Sequence, residues 1–445
     1  MTEVEQRPDR AGSASAVAVA SAGRAPAFLR GAIGGLPRAF WVLWSGTLVN
    51  RIGYMVEPFL AYYLTGVRGF PLATTGAVLA VSGLGSVFSQ LAAGALTDRI
   101  GRRATLALGM LANAGALLGL GYARGLAAIM VAVLLFGLTV DVYRPASSAL
   151  VADLVPSVDR ARAYGILFWA VNLGVSVAMV LGGALARTGF LWLFWADALT
   201  CAAFSAIVWV GLPADRARRS ATVVRRPAEA AGAGRRDGNA GRGSARHLAR
   251  DGVMVAYLAL TFCYCFVYLQ AYTTLPLAMR LDGLSPRSFG LAIAVNGIVI
   301  VAVQPLVSGW LGRHDHSSVL AVGFVVGGLG FGLTALAHST AAYAATVVVW
   351  TLGEIITAGL GAAIVSELAP VHMRGRYNGV YGAIWSAAYL AAPLGGTRLL
   401  TIGAPALWLT CACLGGVAAT AMLALGPAIR RRSGGDGHRQ ETMRV

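Results

Sequence analysis

Lysine is absent from this chain: all 36 basic residues are arginine. With Ala and Gly so abundant, that absence fits a GC-rich coding sequence. Acids are scarce too, with 19 Asp and Glu together, and charged residues make up only 12% of 445 positions. A soluble domain carries about 25%, so a water-exposed globular surface is excluded. Histidine occurs six times, never inside an apolar run. His314 and His316, two apart with Asp315 between them, are expected to be solvated. The five cysteines (Cys201, Cys263, Cys265, Cys411 and Cys413) all lie in apolar runs, and Cys263-Tyr-Cys265 and Cys411-Ala-Cys413 lack metal-ligand spacing and partner histidines. They are expected as small buried hydrophobes, with no metal site. No Ser/His/Asp set and no phosphate loop is visible, which speaks against an enzyme. A net charge of +17 invites a nucleic-acid reading, but a chain that is 57% hydrophobic is too apolar for one.

What the chain has instead is length without charge. Twelve apolar runs cover 40–65, 73–96, 104–122, 126–151, 161–186, 190–211, 253–279, 288–311, 318–337, 341–368, 377–402 and 405–427. Each has the roughly 20 residues that crossing hydrocarbon requires. The pattern predicts an all-α membrane protein of twelve transmembrane helices in two six-helix bundles, 40–212 and 252–427. A disordered tail over 1–39, an Arg-rich flexible linker over 213–251 and a tail over 428–445 complete the chain. No stretch of the first tail is apolar enough for a signal-peptide core. Assigned to alternate sides, the loops and tails place 28 arginines on one face and six on the other (Arg68, Arg124, Arg187, Arg280, Arg287 and Arg398). By the positive-inside rule both termini are expected in the cytoplasm, the chain being a multi-pass protein of a bacterial plasma membrane.

A repeat at an offset of 214 residues supports two pseudo-symmetric bundles: Asp153-Leu-Val-Pro156 with Arg160 and Arg162 returns as Glu367-Leu-Ala-Pro370 with Arg374 and Arg376. Such repeats place a substrate path between the halves near the midplane.

The most specific short stretch is Gly94-Ala-Leu-Thr-Asp-Arg-Ile-Gly-Arg-Arg103. Its charges cannot lie in hydrocarbon, so it is a tight turn at the membrane surface. The pattern of Gly94, Leu96, Asp98, Arg99, Gly101, Arg102 and Arg103 resembles the loop 2–3 signature of the major facilitator superfamily of secondary transporters. Its second copy, Ser308-Gly-Trp-Leu-Gly-Arg313, has no acid where the first has Asp98. The resemblance implies that Gly94, Asp98, Arg99, Gly101, Arg102 and Arg103 serve a conformational switch. Tyr143-Arg-Pro-Ala146, Gly353-Glu354, Ala369-Pro370 and Arg374-Gly-Arg-Tyr377 are similar to the drug:proton antiporter branch, particularly its multidrug-efflux members. One departure stands out: within Asn172-Leu-Gly174 to Gly182-Gly183, Ala178-Met179 replaces the Gly-Pro of the antiporter motif.

Ionisable groups inside the spans are functional candidates because each is costly in lipid. Arg51 lies midway along the first span with Glu57 two turns on; Asp141 and Arg144, three apart in the fourth, can pair; Glu354 lies midway along the tenth. Asp141, Arg144, Glu354 and Arg51 are therefore the candidate proton-coupling set. A static Asp141–Arg144 pair, and a structural hydrogen-bonding role for Glu354, are the plain alternatives. Asp197 in the sixth span is expected to bond locally. Asp153, Arg160, Glu367 and Arg374 either form ion pairs that close a cytoplasmic gate or serve topology alone. Asn50, Tyr54, Asn172, Tyr268, Asn296, Trp385 and Tyr389, with Tyr143, Tyr264 and Gln270, are candidate cavity residues, since aromatic faces suit lipophilic and cationic ligands; packing is the plain alternative for each. The expected function is proton-coupled export of small lipophilic or cationic compounds by alternating access, as a monomer drawing on the proton gradient with no cofactor. A proton symporter importing a nutrient is the alternative, and a non-transporting receptor or scaffold a third.

Overall fold

A computed structural model of the protein describes residues 35–213 and 250–442, except 312, 371 and 372, and the side chains of 90, 91, 94, 95, 98, 157, 161, 308, 310, 374–376 and 433–442 are outside it. The tail expected over 1–39 and the linker expected over 213–251 therefore lie almost wholly outside the described residues. The described residues are helical, with no strand among them.

Sixteen α-helices follow in order. In the first half they are α1 (Arg38–Gly53), α2 (Val56–Tyr62), α3 (Leu72–Ile100), α4 (Arg102–Tyr122), α5 (Leu126–Val140), α6 (Tyr143–Leu154), α7 (Arg160–Thr188) and α8 (Leu191–Gly211). The second half holds α9 (Gly252–Thr273), α10 (Leu275–Leu281), α11 (Pro286–Leu311), α12 (His316–Leu333), α13 (Thr340–Thr357), α14 (Leu360–Leu368), α15 (Arg374–Ile402) and α16 (Ala404–Thr442). The last helix runs on past the expected end of its span at 427.

Four expected spans are each two helices in line. Three break just ahead of a proline: Pro58 in α2, Pro145 in α6 and Pro276 in α10. A proline has no N–H to give the carbonyl four residues back, so the helix restarts around it. The fourth break, at Ala358–Gly359, uses a glycine at φ +80°, a left-handed conformation open chiefly to glycine. Pro305, Pro393 and Pro427 sit inside unbroken helices, so proline alone does not decide.

Among the described residues, ten helical segments are long and apolar enough to cross a membrane. The other two expected spans are helical but fall outside that group: the first breaks into short helices of 16 and 7 residues, α1 and α2, and α15 carries five Gly and three Tyr. The outer surface is apolar, with Leu199, Leu306 and Val210 exposed to 69%, 80% and 85%. A soluble monomer rarely shows so large an apolar exterior, whereas lipid is a matching solvent for it.

Packing repeats between the halves. α1 packs on α7 and α8, α3 on α5, and α4 on α5 and α8; correspondingly α9 packs on α15 and α16, α11 on α13, and α12 on α13 and α16. The halves meet along two seams, α3 with α15 and α7 with α11. Glycines allow the close approach. A Cβ on Gly290 would strike the Met179 carbonyl, one on Gly297 would strike Ser176, and one on Gly83 would meet the Tyr389 carbonyl. These contacts lie in the seams' middle and far parts. At the far end Phe59 meets Phe289 edge-on at 5.3 Å, and the Tyr62 hydroxyl donates to the Leu284 carbonyl at 3.2 Å. The opposite end, which carries the start of α1, the end of α8 and the start of α9, is the open one: there the cavity lining runs out through Ser148 and Tyr164 of the first half and Tyr257 and Leu320 of the second.

Candidate functional site

Two adjoining chambers of 560 and 510 Å³ occupy the space between the halves, sharing Arg144, Phe168, Tyr268, Glu354 and Tyr389. Side chains from both seams and from all four broken spans line them. A broken helix exposes polar backbone and side chains where a cavity can satisfy them, which an intact apolar helix cannot do.

On the first-half wall, Asp141 sits at the α5–α6 break and accepts from Arg144 at 2.9 Å. The acid is 9% exposed and the arginine 55% exposed, so the guanidinium faces the cavity and the carboxylate lies behind it. Arg51 takes no part in this ion pair. Its guanidinium lies over the rings of Tyr143 and Tyr54, 4.4 and 4.8 Å from their centroids, and its buried Nε has no hydrogen-bond partner among the described residues. Cation–π contact with two rings partly offsets the lost hydration of a buried guanidinium. Glu57 lines the same chamber, among Tyr54, Asp141, Arg144 and Arg51.

The second-half wall is built differently. Glu354 accepts from the Tyr268 hydroxyl at 2.9 Å on one oxygen and from Asn296 Nδ2 at 2.7 Å on the other. Asn296 Nδ2 also donates to Thr351 Oγ1 at 2.9 Å, which fixes the amide's orientation. Glu354 has no ion-pair partner among the described residues. Aromatic rings stand around it: Tyr268 packs on Trp385 at 6.1 Å and on Tyr264 at 6.2 Å.

The structure thus gathers most expected cavity residues into one place. Arg51, Tyr54, Asn172, Tyr268, Asn296, Tyr389, Arg144 and Glu354 line the first chamber, and Trp385 with Tyr264 the second. Asn50 is not among the lining residues: it is buried, and its amide donates to Cys201 Sγ on α8 at 3.2 Å. Gln270 likewise turns away, bonding to Thr274 and the Ala392 carbonyl. Asp197 bonds locally as expected, its Oδ1 accepting from Cys201 Sγ at 3.7 Å, but it also reaches another helix. Its Oδ2 accepts the Met55 and Val56 amides at 3.3 and 3.1 Å, so α8 caps the restarted helix α2 that carries Glu57. Glu57 itself had a signal, as an acid two turns beyond Arg51, but nothing in the spacing showed that the break at Tyr54 turns it inward.

At the open end, the 100–102 link turns on Gly101 at φ +95°. Arg102 pairs with Asp153 at 2.7 Å, tying the start of α4 to the end of α6. Arg103 donates to the Trp209 carbonyl and lies over that indole at 4.6 Å. Arg99 is exposed, Gly94 lies within α3, and the side chain of Asp98 is outside the described residues. Arg160 caps the end of α6 through the Ala152 and Val155 carbonyls at 2.7 and 3.2 Å. Glu367 pairs with a histidine: Nδ1 of His316 lies 2.7 Å from its Oε1. His316 is therefore not the solvated side chain expected from its loop position; the start of α12 folds it onto α14. Arg374's side chain is outside the described residues. Asp251, the cap of α9, takes Arg432 at 2.7 Å, the Tyr377 hydroxyl at 2.8 Å and the Met254 amide at 3.2 Å. Burial raises this carboxyl, but those donors outweigh burial and hold it below the usual carboxylate range.

Comparison with known proteins agrees with this architecture. The family model described as Major Facilitator Superfamily matches residues 43–393 and 260–443. An uncharacterized MFS-type transporter of Bacillus subtilis, YttB, is 28% identical, covering 82% of this chain and 89% of the relative. A Na(+), Li(+), K(+)/H(+) antiporter of Planococcus maritimus is 24% identical, covering 78% and 85%. The multidrug resistance protein MdtH of Klebsiella pneumoniae is 24% identical, covering 76% and 81%. Among solved structures, the nucleoside transporter NupG superposes with a TM-score of 0.71 at 14% identity, covering 87% and 99%. Two repeated helical halves around a shared polar cavity, an apolar exterior and a family match over nearly the whole membrane region give one conclusion: the chain is a multi-pass membrane transporter, not an enzyme, and it belongs to the Major Facilitator Superfamily.

Proposed function

We propose that this transporter exports small lipophilic or cationic compounds in exchange for protons, with Glu354 as the group that carries the proton or the cation in turn. The observation that carries the reading is the difference in charge balance between the two cavity walls. Asp141 is neutralised by Arg144, and Glu57 shares its wall with Arg51, whereas Glu354 is held by neutral donors alone. An uncompensated carboxylate closed off from water costs several kcal/mol. The empty, ionised carrier is then slow to change conformation, while a carrier holding either a proton or a cation crosses readily. Exchange follows without any further device. The rings of Tyr268, Tyr264 and Trp385 suit a flat or quaternary cation beside the acid.

In this reading Asp141 and Arg144 form a poised neutral pair facing the same cavity, and Arg51 braces it through Tyr143. The open end is cytoplasmic, as the arginine distribution supports, with both termini there. The protein works as a monomer in the plasma membrane, with the proton gradient as its energy source. A proton symporter remains the second reading on one observation: α7 runs unbroken from Arg160 to Thr188 through buried Ala178 and Met179, where the antiporter motif has Gly-Pro.

Purified protein in liposomes with an imposed pH gradient tests this. Protons moving opposite to a lipophilic cation, with the coupling lost in Glu354→Gln, is the expected result. Protons and solute moving together would replace export by import. Coupled flux that survives Glu354→Gln would remove Glu354 from its role.

A further inference from the structure

The two ends of α4 and α12 that face the open side carry the same device built from different chemistry. Adding the 214-residue offset to Arg102 gives His316, and adding it to Asp153 gives Glu367. In the structure both pairs form. Arg102 Nε lies 2.7 Å from Asp153 Oδ2, and His316 Nδ1 lies 2.7 Å from Glu367 Oε1. Arg102 is the first residue of α4 and His316 the first of α12; Asp153 and Glu367 are each next to last in α6 and α14. The second copy of the loop motif, eroded in sequence, therefore keeps its ion pair with an imidazole in place of a guanidinium.

We infer that His316 and Glu367 form a proton-sensitive latch on the open-end half of the tenth span, one that holds α14 in the position seen here when the imidazole is charged. Guanidinium stays protonated at all physiological pH, whereas imidazole changes charge between about pH 5 and 8. The first-half pair is a fixed brace, and the second-half pair holds a side chain whose charge a proton sets. What the latch holds can move. α14 begins at the left-handed Gly359, whose Cβ position has no neighbour within 4 Å, and Ala358, Gly359 and Gly361 line the second chamber. The α12 side is anchored separately, since Asp315 caps that helix through Ser318 and takes Arg430 of α16 at 3.1 Å. The start of α14 is held too, by the Tyr257 hydroxyl on the Gly361 carbonyl at 3.0 Å, so release of the pair frees the end of α14 that carries Glu367.

The charged and titratable groups around His316 among the described residues are Glu367 from α14, Arg430 from α16, and His314 and Asp315 from the preceding link, with Tyr257 of α9 on the Glu367 side. Arg430 is engaged by Asp315, so Glu367 is the described group placed to read the charge of His316. With the imidazole protonated the pair is ionic and favours the open cavity; with it neutral the pair is a plain hydrogen bond and the open state loses that bias.

The inference rests on alternating access but not on export or proton coupling, and its test uses neither substrate nor gradient. The full-length protein in lipid nanodiscs, with its native cysteines replaced, carries nitroxides at Val158→Cys and Ala362→Cys, and the distance distribution is measured from about pH 5 to 8. The short-distance population, in which the open end has closed, should grow about two- to fivefold as pH rises, the size of effect a half-exposed ion pair supports. His316→Arg should hold the acid-side distribution at every pH, and His316→Gln and Glu367→Gln the alkaline-side one. A wild-type distribution that does not change with pH, or a His316→Gln protein that still titrates like wild type, would overturn the latch.

Discussion

The two halves share a fold and a packing scheme, yet they treat their central acid in opposite ways. Asp141 is the buried member of a tight pair whose arginine faces the cavity. Glu354 faces the cavity itself and is held by an amide and a phenol. The repeat places Tyr268 opposite Tyr54, and Asp141 opposite Ile355, next to Glu354. The scaffold is thus symmetric and the charge is not. Among the described residues, the first-half wall pairs its acid with a cation and the second-half wall does not. The same asymmetry recurs at the open end, where Asp251 caps α9 through its side chain and Pro37, 214 residues earlier, caps α1 with no side-chain bond.

The largest test of this contrast is Glu354→Gln. If the unpaired acid sets the exchange, gradient-driven flux should fall about 100-fold, the factor for roughly 3 kcal/mol of buried-charge penalty removed from the cycle. Asp141→Asn should lose less, because its pair is already neutral. Next comes Arg144→Gln, which leaves Asp141 buried without its cation. Thermal unfolding in detergent should show a loss of about 1–3 kcal/mol, less than for a fully buried pair because the arginine is more than half exposed. The double variant Asp141→Asn with Arg144→Gln should recover most of it; no recovery would mean the two do not act as a pair. Asn296→Leu removes one donor from Glu354 while leaving Tyr268. Binding of a lipophilic cation, measured by calorimetry, should shift its pH dependence by about tenfold in affinity, the worth of one hydrogen bond to a charged group.

The smallest effect concerns Asp251. Its carboxyl is held below the usual range, so its contribution is present above the ordinary carboxyl value near 4 and is lost as pH falls through the lowered one. Asp251→Asn should cost about 1–2 kcal/mol at neutral pH and remove that acid-side loss. A pH-stability profile that is unchanged in the variant would show that Arg432 and Tyr377 find other partners.

Much of this protein is legible from residue order. The membrane class follows from 12% charge and long apolar runs, and the family from the clustered glycines and arginines of the 94–103 link. Residues as far apart as Tyr54 and Tyr389 could be nominated for one cavity because ionisable and amide side chains are costly in lipid unless they face one another or water. Where the reading failed, the reason was direction. A polar residue's depth in a span can be counted, but its azimuth depends on the neighbours. Asn50 and Arg51 are adjacent, and only the arginine faces the cavity, while the asparagine serves the α1–α8 contact. Asp197 reads as a lone polar residue until α8 is seen lying against the restarted start of α2. His316 reads as a loop histidine until α14 brings Glu367 to it.

By itself, then, the sequence determined the solvent, the family and the inventory of groups that lipid would not tolerate unpaired, because hydrophobicity and charge are properties of residues and of short windows. It also held the three prolines and the glycine that can interrupt a helix. Which interruptions became breaks was decided by tertiary packing: Pro145 ends a helix at Asp141 and Pro393 rides inside α15, since a freed carbonyl is tolerated only where a neighbour or cavity satisfies it. Tertiary structure also decided which acid received a cation. That depends on the rotation of each helix against its partners, and no local pattern encodes it.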